Sequence, residues 1–563
     1  MKQLAFYLLI LTLAAQAGMA QRRVIVPEGF GTLNEILRKD TLAGGARKDP
    51  NTIYVLRRGG VYLLSGTILS SGFHLRLEAE EGTGPKPFVQ MGFLTGGTVV
   101  EELFDARGDV TFRGLHVTGV NEFNTFIARI ISSSSPNLRI TFIDCLFDKS
   151  GQTMMRLNAG GNKVYMLNCT VSRMGRPSNP DNGRVIDERG NQVDSIVVEN
   201  NTWYNITSRT IRDGGAEINY LKMNQNTFVN IGQRLAAIGQ VNRLIYTNNI
   251  NANPRFLGNS LTSSIVSFEF APFGANPEIN LNHNNFYYEQ AVLDAYVTLN
   301  NAGVQRVLPP LVIAANQVYL DNATGILDEP LSFNQGPVAP TEFIIQSELG
   351  EGSSVPDWDF TGALTSAPWE ISAPAYHQFS YPSTTQSFTG SSKGEPLGDL
   401  RWFPQYEVAW TVRDLVSQAE NLVARESSNP VIGGNTAALA ALQAAIVQAT
   451  AVAENSASTG LQLAIARNDL QAAMNDFRAS LVITQAVNRE EINVFPNPTA
   501  DYLFVEAPHE TSLRLLGMDG RTHLQSQVRA GMNKVDVQAV PPGYYLLQVV
   551  GPQGNWTKKI IKQ

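Results

Sequence analysis

The chain has 563 residues, with 43 Lys+Arg against 50 Asp+Glu, a net charge of −7 and 17% charged residues. That length is several times the ~150 residues of one domain, and the mildly acidic balance excludes a dedicated nucleic-acid binder. Two cysteines exclude a disulfide-scaffolded fold and any cysteine-based zinc finger.

Lys2 precedes an apolar run from Leu4 to Ala15, and the small residues Ala17, Gly18 and Ala20 lead into Gln21-Arg22-Arg23. The pattern predicts a secretory signal over residues 1–20, cleaved after Ala17 or Ala20. The run is shorter than the ~20 residues that span a bilayer, and no later apolar stretch reads as long enough, so no transmembrane segment is expected after signal removal. Strands are predicted next at Ile53-Tyr-Val-Leu56, Gly59-Gly-Val-Tyr62 and Phe73-His-Leu-Arg-Leu77.

From residue 110 the chain repeats itself. Val110-Thr-Phe-Arg-Gly-Leu115, Ile140-Thr-Phe-Ile-Asp-Cys145, Val164-Tyr-Met-Leu-Asn-Cys169, Ile196-Val-Val-Glu-Asn-Asn201, Leu221-Lys-Met-Asn-Gln-Asn226, Leu244-Ile-Tyr-Thr-Asn-Asn249 and Ile279-Asn-Leu-Asn-His-Asn284 superpose, with apolar residues at the first and third positions. Period-two alternation returning every 23 to 35 residues predicts one coil of a parallel β-helix per repeat, stacked at ~4.8 Å. The sixth position then becomes a ladder in which amides hydrogen-bond from coil to coil. Cys145 and Cys169 fall in that ladder, either bonded or as two stacked thiols, since ~4.8 Å lies inside the disulfide range. A second strand per coil is read at 127–131, 155–158, 185–187, 210–212 and 235–238. Counted back from the next anchor, Arg156, Asp187 and Arg212 form an outward column beside Asn158, Glu188 and Arg189, closed by Ala236.

Residues 24–330 resemble the chondroitinase-B-like and alginate-lyase-like right-handed parallel β-helices, polysaccharide lyases of the pectin-lyase fold. The resemblance implies an acidic, uronate-containing polysaccharide as partner and β-elimination as the reaction. Asp187-Glu188-Arg189 occupies the family's acidic-x-Lys place and Arg212-Asp213-Gly214 its Arg-x-Gly place. Arg189 and Arg212 are thereby the catalytic candidates, Arg156, Asn158 and Arg184 the substrate-binding ones, and Asp187 and Glu188 the ligands of an implied Ca²⁺. The departure is Arg189 for Lys, because a guanidinium with a pKa above ~12 is a poor general base. A carbohydrate-binding or surface structural protein without turnover is the competing reading. A neutral-glycan hydrolase using Asp187 and Asp213 ranks last.

Residues 331–404 are rich in Gly, Ser, Pro and Thr and carry Trp358, Phe360, Trp369, Tyr376, Phe379 and Tyr381, read as packing this irregular segment against the helix. The segment closes on Pro396-Leu-Gly-Asp-Leu-Arg-Trp402, which resembles the end of secreted β-helix proteins of this type. From 406 to 482 the apolar spacing becomes helical, with Leu439, Leu442, Ile446 and Ala449 and then Leu463, Ala466, Leu470 and Phe477, predicting a helical hairpin or three-helix module. Short alternating strands at 502–505, 512–516, 534–537 and 544–549 predict a small Ig-like β-sandwich. Val494-Phe-Pro-Asn-Pro498, Pro542-Gly-Tyr-Tyr-Leu546 and Lys558-Lys-Ile-Ile-Lys562 give residues 491–563 a resemblance to type IX secretion C-terminal sorting domains. That resemblance implies export by the type IX machinery to the medium or the outer-membrane surface. The six histidines offer no zinc spacing, and His74, His116 and His283 read as structural. Gly44-Gly45 and Gly214-Gly215 read as turn glycines rather than phosphate loops.

Overall fold

The computed structural model describes residues 22–563 apart from 44–46, 93–99, 122, 124, 177–178, 350–376, 428–435, 488–492, 508–509, 518–520 and 552–553. The signal expected at 1–20, Gly44-Gly45, and Trp358, Phe360, Trp369 and Tyr376 lie outside the described residues. Contacts divide the chain into two units, residues up to Asn421 with Val447–Asn468, and Leu422–Ile446 with Asp469–Gln563.

The first unit is built on a parallel β-solenoid of about nine turns. Every anchor of the repeat stacks in register on the next: Val110 on Ile140, Ile140 on Val164, Val164 on Ile196, Ile196 on Leu221, Leu221 on Leu244 and Leu244 on Ile279. The third positions Phe112, Phe142, Met166, Val198, Met223 and Tyr246 are at most barely exposed and fill one continuous core. Stacking supplies that burial, because a lone coil has only half of each inward side chain covered.

Each coil has three strands rather than the two read from sequence. After the anchor strand Arg139–Ile143 come Leu146–Ser150 and then Thr153–Leu157, and the middle strands form their own ten-stranded sheet. Middle strands such as Thr202–Ile206 are buried on both faces, which removes the alternation that marks a half-exposed strand. The third strands run Arg129–Ser133, Thr153–Leu157, Arg184–Asp187 and Arg209–Arg212, at most two residues from the expected bounds.

The ladder at the sixth position is present. Asn201 Nδ2 donates to Asn226 Oδ1 at 3.1 Å, Asn226 Nδ2 to Asn249 Oδ1 at 3.0 Å and Asn249 Nδ2 to Asn284 Oδ1 at 3.0 Å. Cys145 and Cys169 continue it downward as buried free thiols, and the Cys169 backbone N–H donates to Asn201 Oδ1 at 2.7 Å. The fifth position is the corner before it. Gly114, Asp144, Asn168, Asn200, Gln225, Asn248 and His283 all have φ between 51° and 69°, a left-handed conformation that Asn and Gly adopt most readily.

Sequence reading did not find the helix Thr32–Lys39, whose Leu33 and Leu37 enter the solenoid core, nor Gln290–Asn301 and Thr341–Leu349, which pack with Phe256 through Tyr296, Leu299 and Phe343. Phe379 and Tyr381 pack on the middle-strand sheet with Tyr204, Val229 and Ile250. The phrase Pro396–Trp402 straps several coils together: Gly398 N–H donates to Asn248 O at 2.9 Å, Leu400 N–H to Asn200 Oδ1 at 2.7 Å and Arg401 Nη1 to Asn168 O at 2.5 Å.

Helices follow at Ala409–Ser427, Thr436–Glu454 and Gly460–Val487. In the first unit, Arg113 holds Asp414 through two bonds of 2.5 and 2.8 Å, and Asn168 Nδ2 donates to Thr411 Oγ1 at 3.1 Å. Ala437–Glu454 is long and apolar enough to cross a membrane by length and composition, so the expectation that no later stretch reaches that length is corrected. Its alanine-rich, charge-poor sequence is what raises its hydropathy.

In the second unit, a three-stranded antiparallel sheet of Asn493–Phe495, Tyr502–Ala507 and Gly531–Asp536 shares one core with a four-stranded sheet of Thr511–Gly517, Thr522–Val528, Gly543–Gly551 and Gly554–Lys562. Leu503, Val505 and Val535 meet Leu513, Leu515, Leu547 and Ile560 there.

Candidate functional site

The third strands present an outward face on which side chains repeat at the coil spacing of ~4.8 Å. Arg156 pairs with Asp187 and Asp187 with Arg212, so these three do form a column. Arg212 pairs with Ala237, whereas Ala236 pairs with the inward Ile211, which corrects the residue above the column by one. Below Arg156 the column continues through Ser132 and Asp105.

Asp187 is fully buried. Arg212 Nη1 donates to its Oδ1 at 3.0 Å, while Arg184 Nη1 and Arg156 Nε each lie 3.5 Å from its Oδ2. Three guanidinium groups thus surround one carboxylate, and the local charge is positive. Burial, then the like charges of neighbouring arginines, lowers the Arg156 and Arg184 pKa values, with Arg189 among the neighbours of both.

A second file of arginines runs three residues before the column. Arg184 pairs with Thr153 below and Arg209 above, and Arg209 pairs with Arg234. Arg129 holds the same strand position two coils below Arg184, paired with Thr153. Glu101 and Glu102 answer Arg129, and Glu269 answers Arg234. Arg209 has a neutral partner, Gln233 Oε1 at 3.0 Å. Arg156, Arg184 and Arg209 each keep a buried Nε without a hydrogen bond. Sequence reasoning missed Arg129, Arg209 and Arg234, although the Arg-x-x spacing ahead of Ser132, Asp187, Arg212 and Ala237 carries the signal.

Glu188 and Arg189 leave the column. Glu188 is fully enclosed, its Oε2 accepting from the Gly214 backbone N–H at 2.6 Å, and its carboxyl meets that of Asp213 on the next coil. Burial first, then Asp213, pushes the Glu188 pKa up to about 7. Arg189 takes φ 66° in an exposed turn, and Asn158 is exposed on the turn below. These turns stack so closely that a Cβ on Gly214 would lie 2.2 Å from Gly190 N.

The two expected calcium ligands therefore face apart, Asp187 into guanidinium groups and Glu188 into a carboxyl pair. Among the described residues no group of three or more His, Cys, Asp or Glu side chains could hold a metal ion. The column can engage anionic groups in pairs, through guanidinium forks suited to carboxylate or sulfate.

Residues 493–563 match the family of secretion system C-terminal sorting domains. No curated protein matches the chain. The matched region is the second unit's pair of antiparallel sheets, and this type IX sorting domain marks the chain for export, to the cell surface or the medium.

Proposed function

We propose that the chain is an exported β-solenoid that binds an acidic polysaccharide along the arginine face of its third strands. The observation that carries this reading is the surplus of positive charge about Asp187, where Arg156, Arg184 and Arg212 share one carboxylate and Arg209 bonds the neutral Gln233. A polyanion lying along the solenoid axis meets a guanidinium on successive coils, so several weak charge contacts act together. Dispersed positive charge on rigid strands also lowers the ordering cost of binding.

A second reading adds turnover by β-elimination. It rests on Arg189, an exposed cation in the turn beside the column whose charge acts on Arg156 and Arg184. In it the column arginines stabilise the charge that develops at the uronate carboxylate.

Binding is tested by titrating the purified chain with alginate, pectate, chondroitin and dermatan sulfates, with dextran as the neutral control. The expected result is salt-sensitive binding to at least one polyanion and none to dextran, weakened by Arg156→Ala. Absence of binding to every polyanion at low salt overturns the reading. Absorbance of unsaturated uronate, with and without Ca²⁺, separates the two: a rise lost in Arg189→Ala establishes elimination, and binding without a rise leaves the lectin-like reading alone.

A further inference from the structure

The arginine face is closed at both ends by carboxylates. Along the column Arg156, Asp187 and Arg212 follow one another on three adjacent coils, and the file beside it carries Arg184 and Arg209 on two of the same coils. One coil below Arg156 stands the neutral Ser132, then Asp105, then the exposed Leu69. One coil above Arg212 stands Ala237, and above that Glu269.

The flanking acids answer the cations next to them. At the lower end Glu101 and Glu102 both pair with Arg129, and Asp105 pairs with Arg107 at 2.8 Å. Two carboxylates thus meet one guanidinium, and the Glu101 side chain is 76% exposed. At the upper end Glu269, with its side chain 41% exposed, pairs with Arg234. Arg255 lies close to Arg234, but it is buried and donates to Asn259 Oδ1 at 3.0 Å and to the Gln233 backbone carbonyl. Asp181, beside the second file, accepts from Gln233 Nε2 and acts on Arg209. On the three middle coils Arg156, Arg184, Arg209 and Arg212 outnumber Asp187 and Asp181.

Taking that face as the polyanion site proposed above, we infer that it holds a short anionic oligosaccharide of about three or four sugars, and that Glu101, Glu102 and Glu269 set this length. A pyranose unit advances along its chain by roughly one coil spacing, so three charged coils match that many consecutive sugars. A longer chain on the same axis carries its next anionic groups over Glu269 in one direction and over Glu101 and Glu102 in the other. Like charges juxtaposed there repel, so the added sugars bring no gain in affinity. Salt screens these exposed carboxylates, and the limit on length is sharpest at low ionic strength.

The test is calorimetric titration of the full chain at low salt with oligogalacturonates and chondroitin sulfate oligosaccharides of two, four, six and eight sugars, beside the two parent polymers. In at least one series the affinity is expected to rise from two sugars to four and to level off from four to eight. Glu269→Gln removes the upper carboxylate and releases Arg234, and Glu101→Gln leaves Arg129 balanced by Glu102 alone. Both side chains are exposed, so both variants are expected to keep the wild-type denaturation midpoint. Glu269→Gln is expected to bind eight sugars about threefold more tightly than four, the size of one exposed charge contact, and Glu101→Gln to show a smaller gain of the same sign. Wild-type affinity that keeps rising to eight sugars, a polymer that binds where no oligomer does, or one length dependence shared by wild type and both variants overturns the length limit and leaves the polyanion reading standing. Absence of binding by every oligomer and both polymers overturns the two together.

Discussion

Arg212 and Asp187 occupy the same register on adjacent coils, and Arg212 Nη1 donates to Asp187 Oδ1 at 3.0 Å. Because Asp187 is fully buried and also faces Arg184 and Arg156, its charge is what allows three guanidinium groups to lie on neighbouring coils. Asp187→Asn keeps the shape and removes the charge. It is expected to destabilise the fold by about 3 kcal/mol, in the range for removing one partner of a buried ion pair. Chemical denaturation of the variant beside wild type checks this, and a loss under ~0.5 kcal/mol contradicts the assigned role.

Arg209 makes a sharper probe of binding than of stability, since its partner is the neutral Gln233. Arg209→Ala is expected to leave the denaturation midpoint within experimental error and to weaken polyanion binding about fivefold, with a shallower dependence on salt. Affinity measured at two ionic strengths decides it. Unchanged affinity at both removes Arg209 from the binding face.

The fold was legible where side chains repeat toward the core. The anchors from Val110 to Ile279 and the ladder from Asn201 to Asn284 keep their residue types because every coil meets the same neighbours above and below. The middle strands were hidden since Thr202–Ile206 and its neighbours are buried on both faces and lack alternation. The Arg156, Asp187 and Arg212 column followed from counting back to the anchors. The direction of Glu188 did not, because the backbone turns through left-handed Arg189 directly after it and sends two adjacent acids to different surroundings. Arg129, Arg209 and Arg234 were visible only as a spacing relative to a register that sequence alone leaves open.

Gly214 tests the stacked turns. A Cβ there meets Gly190 N at 2.2 Å and Arg189 C at 2.7 Å, both backbone atoms that cannot swing aside. Gly214→Ala is expected to force the Arg189 turn outward, costing about 1–3 kcal/mol as an overpacked contact and reducing polyanion affinity in step. Gly160→Ala, whose Cβ makes only an ordinary contact with Gln192 O at 3.4 Å and whose φ is not left-handed, controls for the loss of glycine in a turn of the same face. Equal effects from the two variants contradict the close-stacking explanation.

Glu188 and Asp213 set a pH dependence whose sign follows from the raised Glu188 pKa. The folded protein keeps the Glu188 proton up to about 7, against an ordinary value of 4.5, because burial and then the Asp213 carboxylate disfavour its charge. A raised acid contributes stability that is fully present below 4.5 and is lost as pH rises through about 7. The Tm is therefore expected to fall across that window in wild type and to fall less in Glu188→Gln, which retains an acceptor for the Gly214 N–H. Parallel Tm profiles for the two proteins contradict the raised Glu188 pKa.

Asn226 lies at the centre of the amide ladder and serves both neighbouring coils. Its Oδ1 accepts from the Asn201 backbone N–H at 3.0 Å and from Asn201 Nδ2 at 3.1 Å, while its Nδ2 donates to Val198 O and Asn249 Oδ1, each at 3.0 Å. Asn226→Ala removes the acceptor of the Asn201 backbone N–H and the side-chain donor to Val198 O at a fully buried position and leaves a void as well, while Asn249 Oδ1 keeps the Asn226 backbone N–H and Asn201 Nδ2 keeps Met166 O and Glu199 O. The expected loss is about 3–4 kcal/mol, above the ~1–3 kcal/mol for one unsatisfied buried group because more than one is left. Asn226→Asp separates the two halves of the role: it keeps the acceptor for Asn201 and replaces the donor to Val198 O and Asn249 with a buried carboxyl. It is expected to be tolerated better at acidic pH, where the protonated carboxyl regains one donor, than at neutral pH, where burial disfavours the charged form. Denaturation of both variants at two pH values checks the assignment, and an Asn226→Asp protein no less stable at neutral than at acidic pH contradicts it.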